Sequence, residues 1–355
     1  MSATRRAPSK ARKATVVDVA RLAKVSTASV SRVFNGNGDA GLVSDETRER
    51  VIAAAQMVRY TPNMIARSFR SQKSHAIGLI VFELGHPHIA QVIEGVEQAA
   101  HEAGYIYVLS NSGDAAKREK LCRGLFGQNR IDGAVLIGLS TPEEEDLMVS
   151  SLTRDGIPVA LVGRIHAHAA VPCVSLDNVQ GGQMATRHLL DQGRRRILYV
   201  AGDHYHSPLR LKGYRQALAA AGVEAEPALV IGGEGRDAAY AQAHVKNFLS
   251  RNAAPTGVFC FNDKMAFGVL KALHEHGLSV PGDCAVVGFD NIEYCQYSVP
   301  TLTSVSQPSF QMGYAAGKQL LARLEGKLDP EKRSTVFAPT LVVRESSGPA
   351  PKTTC

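Results

Sequence analysis

Between residues 15 and 60 apolar side chains return every three or four positions. From residue 77 onward they come instead in short unbroken runs. The first rhythm predicts helices and the second predicts buried strands. Thr15, with Asp18 three residues later, predicts a capped helix start, and Val19, Ala20 and Ala23 then share one face. Val25-Ser26 breaks the rhythm. Ser26 can cap a second helix over about 27–34, with Val30, Val33 and Phe34 turned inward and Thr27, Ala28, Ser29, Ser31 and Arg32 turned outward. A third helix starts after Ser44, carries Asp45 and Glu46 in its first turn, and runs to about Arg59, where YTPN at 60–63 stops it. Two short helices joined by a tight turn make a helix-turn-helix, whose second helix enters the major groove of duplex DNA. A short amphipathic stretch, NMIARSFRS at 63–71, follows.

The strand-like runs fall into two series, IGLIVF, YIYVLS, GAVLIG and PVALVG, then RILYVAG, ALVIGG, TGVFCF and CAVVGF, each alternating with helical segments. Such alternation predicts parallel sheets covered by helices on both faces, and two series predict two lobes.

Charge sharpens this division. The chain of 355 residues is 45% hydrophobic and carries a formal charge of +7. Residues 1–75 hold 14 basic side chains against 5 acidic ones, a net +9, which leaves −2 for the remainder. A small basic head on a near-neutral body suits attraction to a phosphate backbone. The stretch MSATRRAPSKARK at 1–13 is expected to be a disordered tail that adds nonspecific affinity. The six cysteines form no CxxC pair, which suits reduced thiols. The first 25 residues hold no continuous apolar segment of signal-peptide type, and no stretch approaches a membrane span.

Several longer strings carry a family resemblance: DVARLAKVSTASVSRVFNG, VSDETRERVIAAA, RYTPNMIARSFRS, IGLIV at 77–81, SLDNVQGG at 175–182, RLKGY at 210–214, FNDKMAFG at 261–268, VVGFDNIEY at 286–294, PTLTSVSQP at 300–308 and PTLVVRESS at 339–347. Over about residues 15 to 347 the chain resembles the LacI/GalR family of bacterial repressors. The resemblance implies a small all-α helix-turn-helix head and an α/β two-lobed body like the periplasmic binding proteins, with parallel sheets in Rossmann-like lobes. It implies a head at 15–60, a hinge helix and linker at 61–76, and an effector-binding and dimerisation domain at 77–346. Three chain crossings between lobes are expected, near 177–178, 307–308 and 333. Lobe 1 would then comprise about 77–177 and 308–332, and lobe 2 about 178–307 and 333–346, with a tail at 347–355.

In that family Thr27, Ala28 and Arg32 occupy base-reading positions, while Ser26, Ser31 and Asn35 face phosphates. Thr27 and Ala28 can touch a thymine methyl, and Arg32 can read guanine or clamp a phosphate. Asn63, Arg67 and Phe69 fall on the family's hinge helix, with Phe69 in place of the usual leucine as an apolar wedge for the minor groove. With Thr15, these are the expected DNA-binding residues. Two departures stand out. Lys24 replaces the usual glycine of the turn, where positive φ costs roughly 1 kcal/mol. The loop 37–42 is longer than usual and creates a GxGxxG string at 36–41. A helix rather than a strand precedes that string and position 61 is Thr, so it lacks the context of a dinucleotide fingerprint.

Ligands of open parallel sheets sit beyond the carboxyl ends of the strands. There the resemblance assigns effector contacts to Arg210, Asn262 and Asp290. Asp263 reads as a helix N-cap, and a turn-capping role stays open for Asp290. Where the family has Asn-Pro-Phe-Phe, this chain has His86-Pro87-His88-Ile89. Two further H-x-H pairs, His166/His168 and His204/His206, also follow strand-like runs. Three readings stay open for these pairs: ordinary polar loop residues, hydrogen-bonding groups for an acidic or polyhydroxylated ligand beside Arg164 and Arg210, or a metal site without fixed spacing. The expected effector set is His86, His88, Arg164, Arg210, Asn262 and Asp290, with no metal ligands assigned.

The resulting expectation is a cytoplasmic, nucleoid-associated transcriptional regulator of the repressor type, not an enzyme. It binds a pseudo-palindromic double-stranded operator as a homodimer under control of a small metabolite, a sugar or sugar derivative. No cofactor and no membrane partner are expected. The rivals are a periplasmic-type sugar-binding protein and an α/β enzyme. The helix-turn-helix opposes the first, and the lack of a nucleophile–base constellation opposes the second.

Overall fold

The computed structural model describes residues 14–35, 43–60, 73–112, 114–138, 141–165, 171–329 and 333–348. The expectations for the tail 1–13, for the loop at 36–42, for Asn63, Arg67 and Phe69, and for His166 and His168 concern residues outside this range. The chain divides into two compact units, Met1–Gln72 and Lys73–Cys355.

The first unit holds helices α1 (Val16–Ala23), α2 (Thr27–Asn35) and α3 (Asp45–Met57). Thr15 closes the capping box. Its Oγ1 accepts from the Asp18 N–H at 3.4 Å, and the Asp18 carboxylate accepts from the Thr15 N–H at 2.9 Å and from its hydroxyl at 2.8 Å. Lys24 ends α1 in the left-handed conformation, φ 54° and ψ 47°, and its N–H reaches the carbonyls of Ala20 and Arg21. The non-glycine turn therefore keeps the geometry that the sequence departure put in question. Ser26 Oγ accepts from the Ser29 N–H at 3.0 Å and so caps α2. Val19, Val30 and Val51, one from each helix, are fully buried and centre a core completed by small alanines. Each stabilises the unit by roughly 1.5–3 kcal/mol.

The second unit contains two six-stranded sheets. Strands β1 (Ala76–Val81), β2 (Ile106–Asn111), β3 (Gly133–Ile137), β4 (Val159–Gly163), β5 (Cys173–Leu176) and β11 (Ser334–Phe337) form the first, in the order β11-β5-β4-β3-β1-β2. Strands β6 (Ile197–Ala201), β7 (Val230–Gly232), β8 (Gly257–Cys260), β9 (Ala285–Asp290), β10 (Thr303–Ser306) and β12 (Thr340–Val342) form the second, in the order β12-β10-β9-β8-β6-β7. All pairs are parallel except β10 with β12. Strands β1, β3, β8 and β9 are buried along their whole length, as sheets covered on both faces require. We call the two sheets with their helices lobe 1 and lobe 2.

The chain passes from lobe 1 to lobe 2 after β5 and returns after β10. The third passage corrects the expected one near 333. Ser334–Phe337 still pairs in register with Cys173–Leu176 of lobe 1, and only Thr340–Val342 joins lobe 2. The crossing is at Ala338-Pro339, because the edge of the first sheet accepts one more strand before the chain leaves it. Among the described residues no helix is long and apolar enough to cross a membrane. Among the described residues Cys122, Cys173, Cys260, Cys284 and Cys295 are buried and form no disulfide.

In each lobe two helices meet backbone to backbone over glycines. In lobe 1, α4 (Pro87–Glu102) and α11 (Ser309–Leu324) touch at Gly95 and Gly313. In lobe 2, α7 (Asn178–Asp191) and α8 (Ser207–Ala220) touch at Gly182 and Gly213. A Cβ on Gly182 would strike the carbonyl of Arg210. Overpacking at a contact that cannot yield costs about 1–3 kcal/mol. Gly182→Ala is therefore expected to lower the unfolding free energy of the full chain by that amount, read as a lower urea midpoint at unchanged m-value; an unchanged midpoint would contradict the close packing.

Candidate functional site

The outer face of α2 in the first unit is simple. Thr27, Ala28 and Arg32 of α2 are exposed, and Ser31 is half-buried beside them. Ser26 is exposed and engaged with Ser29, and the Thr15 hydroxyl is held by Asp18. Val30 and Val33 face the core, so small and hydroxyl-bearing positions and one guanidinium remain on the outer face. Asn35 ends the helix.

The second site lies where the two lobes meet, at the carboxyl ends of their strands. A cavity of about 90 Å³ there is walled from lobe 1 by Phe82, Glu83, His86, His88 and neighbouring apolar residues, and from lobe 2 by His204, Tyr205, His206, Arg210, Arg236, Phe261, Asn262 and Asp290. Gln307 and Ser309, at the second crossing, complete it.

Arg210 sits at the floor. Its side chain is 3% exposed, and a buried guanidinium must be surrounded by acceptors to be tolerated. Nε donates to Asn178 Oδ1 at 2.9 Å, and Nη1 donates to the Phe261 carbonyl. The rings of Phe289 and Phe261 lie against it, with centroids 3.4 Å and 4.6 Å from its central carbon. Asp290 Oδ1 is 3.9 Å from Nη2 and also accepts from the Gln307 amide.

Asp290 occupies a strained position, with φ of 108°, followed by Asn291 at 53°. Such backbone persists only when its surroundings fix it. Here Asp263 is the fixing group. One of its oxygens accepts from the Ser304 hydroxyl at 2.6 Å and the other from the Ile292 N–H at 2.9 Å, while Asn291 N–H reaches Ser304 Oγ at 2.9 Å. Burial, with Asp290 nearby, pushes the Asp263 carboxyl up to about 7. This corrects the reading of Asp263 as an N-cap. Asn262 is the cap of α10 (Asp263–Glu275), accepting from the Met265 N–H at 2.8 Å, and its amide donates to the Arg236 carbonyl at 3.1 Å.

Arg164 needs a second correction. It is not among the residues that line the cavity. Its Nε lies 2.7 Å from Glu145 Oε1, and its Nη2 meets Asp146 and the Pro142 carbonyl at the start of α6 (Pro142–Arg154). Two acids on one helix outcompete a cleft ligand for this cation.

Both described H-x-H pairs do reach the cavity. His86 stands at the N-cap position of α4 without a side-chain cap bond, and its Nδ1 lies 2.7 Å from His88 Nδ1. His206 Nδ1 lies 3.3 Å from the Asn178 amide nitrogen, and the His206 N–H donates to His204 Nδ1 at 3.3 Å. Desolvation lowers all four, His88 and His204 to about 3, so the imidazoles are neutral in the closed cleft. Without a ligand the positive charge at the cavity therefore comes from Arg210 and Arg236. Among the described residues, Tyr205 OH and Ser309 Oγ are buried at this cavity without a hydrogen-bond partner.

Pairs of groups join the lobes directly. Arg236 donates to Glu83 Oε2 at 2.8 Å and covers the Phe82 ring at 5.1 Å, and His86 Nε2 stands 3.5 Å from Asp290 Oδ2. Glu83, Arg236, Tyr205, Gln307 and Ser309 were not foreseen as site residues. Glu83 and Arg236 each follow a strand end, so extending the strand-end rule to every loop would have found them.

Comparison with known proteins bears on both sites. Residues 15–63 match the family model described as bacterial regulatory proteins, lacI family, and residues 186–347 match that of the periplasmic binding protein-like domain. The chain is 32% identical over 336 residues to the HTH-type transcriptional repressor PurR of Photobacterium profundum, covering 94% of this chain and 98% of that protein. Among solved structures it is similar to a lac repressor dimer bound to operator and the anti-inducer ONPF, with a TM-score of 0.80 at 25% identity over 95% of this chain and 99% of the other. It is similar as well to a complex of the transcriptional regulator CelR with cellobiose, with a TM-score of 0.70 at 32% identity over 94% and 99%. With a helix-turn-helix in one unit and a two-lobed cleft in the other, the chain belongs to the LacI family of bacterial regulatory proteins.

Proposed function

We propose that the protein is a cytoplasmic, nucleoid-associated repressor that binds a pseudo-palindromic operator as a homodimer and releases or tightens its grip when a sugar or sugar derivative enters the cleft. The observation that carries this reading is one chain bearing an exposed Thr27, Ala28 and Arg32 on the second helix of a helix-turn-helix and a cavity between two lobes into which imidazoles, guanidinium groups and a carboxylate project. Small side chains around one fork-shaped cation suit base-edge contacts in the major groove. The operator-bound dimer among similar structures supports DNA as the partner and two copies as the unit of binding. In this reading the head is 15–60, the linker 61–76, and the effector and dimerisation domain 77–346, with the third crossing at 338–339. Ser26, Ser31 and Asn35 contact phosphates, and Asn63, Arg67 and Phe69 serve the hinge. The family is one of regulatory proteins, not enzymes.

For the effector, His86, His88, Arg210, Asn262 and Asp290 are the proposed contacts, joined by Tyr205 and Ser309. Unpartnered hydroxyls, neutral imidazoles and a carboxylate favour a ligand with several hydroxyl groups over an acid. Phe82 and Phe261 add apolar surface to the lining. The cellobiose complex of a similar regulator supports the same class. A cavity of about 90 Å³ is smaller than the ~150 Å³ that admits benzene, so the lobes must part for a sugar to enter. Ligand affinity is thereby coupled to lobe movement, and through it to DNA affinity.

Three outcomes are expected. In a gel-shift series against selected duplex DNA, Arg32→Ala should weaken specific binding by about 1–3 kcal/mol while leaving salt-sensitive nonspecific binding; unchanged specificity would contradict the assigned base contact. Arg210→Ala should retain operator binding and lose the response to whichever sugar a thermal-shift screen identifies; a persisting response would remove Arg210 from the cleft machinery. The third concerns pH. His204 and His206 are depressed in the folded state, and His204 falls to about 3 from 6.5. The unfolded chain thus gains protons first as pH falls. Their contribution is complete above about pH 6.5 and is lost below it, by up to about 1.4 kcal/mol per pH unit for each imidazole. The variant His204→Gln/His206→Gln should show a flatter decline of urea stability between pH 6.5 and pH 4.5; parallel profiles would contradict neutral burial.

A further inference from the structure

His86, His88 and Asp290 come from both sides of the cleft. The two imidazoles stand at the start of α4 in lobe 1, and the carboxylate stands at the end of β9 in lobe 2. One donor atom from each lies within 4.8 Å of the donors of the other two. Two nitrogens and one oxygen are a donor set suited to zinc, cobalt, nickel or copper, and unsuited to calcium or magnesium, which take oxygen ligands. We propose that these three residues bind one divalent transition-metal ion, which ties lobe 1 to lobe 2.

Three features of the cavity bear on the fit. First, the carboxylate is already oriented. Asp290 Oδ1 takes the Gln307 amide and faces Arg210, while Oδ2 faces His86 at 3.5 Å. A ligand oxygen held from behind through its partner oxygen is the usual support of a metal site. Second, the guanidinium meets the other oxygen of the carboxylate: Arg210 Nη2 lies 3.9 Å from Asp290 Oδ1, which leaves Oδ2 to the His86 side. Arg210 Nε and Nη1 are engaged by Asn178 and the Phe261 carbonyl, and its plane lies on Phe289. Third, the space suits an ion and its water. A cavity of about 90 Å³ excludes a sugar in the closed form, yet it accommodates an ion and the water on its remaining coordination position.

Bonds of about 2.0–2.2 Å in a tetrahedron place ligand atoms roughly 3.3 Å apart. The three donors must therefore draw in from their present spread, and the short contact between His86 Nδ1 and His88 Nδ1 must open slightly. His86 meets His88 with Nδ1 and Asp290 with Nε2, and each imidazole gives an ion one nitrogen, so one of these contacts is exchanged for the metal bond by rotation about the χ angles. With three protein ligands the ion keeps an open position toward His204, His206 and the cavity, as in sites that also bind water or an added ligand. Because two ligands belong to one lobe and the third to the other, the ion binds the closed arrangement in preference to the open one and shifts the population toward it. The inference rests on the cavity and not on the effector's identity. Its test reads metal uptake without DNA, so a negative result would leave the regulator reading intact.

The test uses the untagged full-length chain, freed of metal by chelator and titrated with zinc by calorimetry and with cobalt by visible absorption. A one-to-one complex and an intense tetrahedral cobalt band are expected. His86→Gln and His88→Gln should each weaken zinc binding roughly tenfold or more, whereas His101→Gln, on an exposed helix end, should not. If the cleft variants fail to fold, the wild-type cobalt spectrum decides: a one-to-one tetrahedral species supports the site, and its absence overturns it. Zinc binding that survives both histidine replacements overturns it as well.

Discussion

A guanidinium without access to water constrains the cleft more than any other group. Arg210 can stay buried only if its donors find acceptors and its charge finds a counter-charge. Asn178 and the Phe261 carbonyl supply the acceptors, Phe289 supplies a π face, and Asp290 supplies the charge. They come from α7, the end of β8 and β9, so satisfying one side chain of α8 fixes the relative positions of these four elements. Glycine does the remaining work of bringing α7 and α8 close, since Gly182 lies directly under the Arg210 backbone. Asp290 in turn demands its own support, which Asp263 and Ser304 give to a turn of positive φ.

At the cleft the two lobes meet through a few polar pairs, while one buried apolar cluster runs through both lobes behind it. Glu83 with Arg236 and His86 with Asp290 are the bridges, and Phe82 lies beneath the Arg236 guanidinium. Such pairs exchange partners readily with water or with a ligand's hydroxyl groups. A lobe contact of this kind is therefore a two-state element that a ligand can bias, as a regulator requires.

Much of this was legible in the chain itself. The Thr15–Asp18 capping box, the inward Val19, Val30 and Val33, and the strand-like runs of both lobes depend on local spacing, and spacing is what a sequence displays. The two described H-x-H pairs reach the cleft because they follow strands whose ends open on it. The errors share another cause. Arg164 follows a strand too, but Glu145 and Asp146, about twenty residues earlier, take its charge, and no local pattern reports that. Asn262 and Asp263 are adjacent and equally able to cap. Their roles were settled by Ser304 and Ile292, which arrive from elsewhere in the fold. The third crossing was placed too early because the register of Ser334–Phe337 against Cys173–Leu176 is a non-local pairing. The bridge between Glu83 and Arg236 spans 153 positions, and only the folded lobes bring its ends together.

The central claim is that the state of the cleft sets the affinity of the head for DNA. Replacing one bridge by a repulsion tests it without any ligand. Glu83→Arg puts two like charges where Glu83 and Arg236 now attract, whereas Glu226→Arg does the same to the Arg196–Glu226 pair within lobe 2. Measured by fluorescence anisotropy on a duplex selected from random DNA, Glu83→Arg should change operator affinity by roughly fivefold or more, and Glu226→Arg should leave it unchanged. A folded Glu83→Arg variant with wild-type affinity would contradict the account.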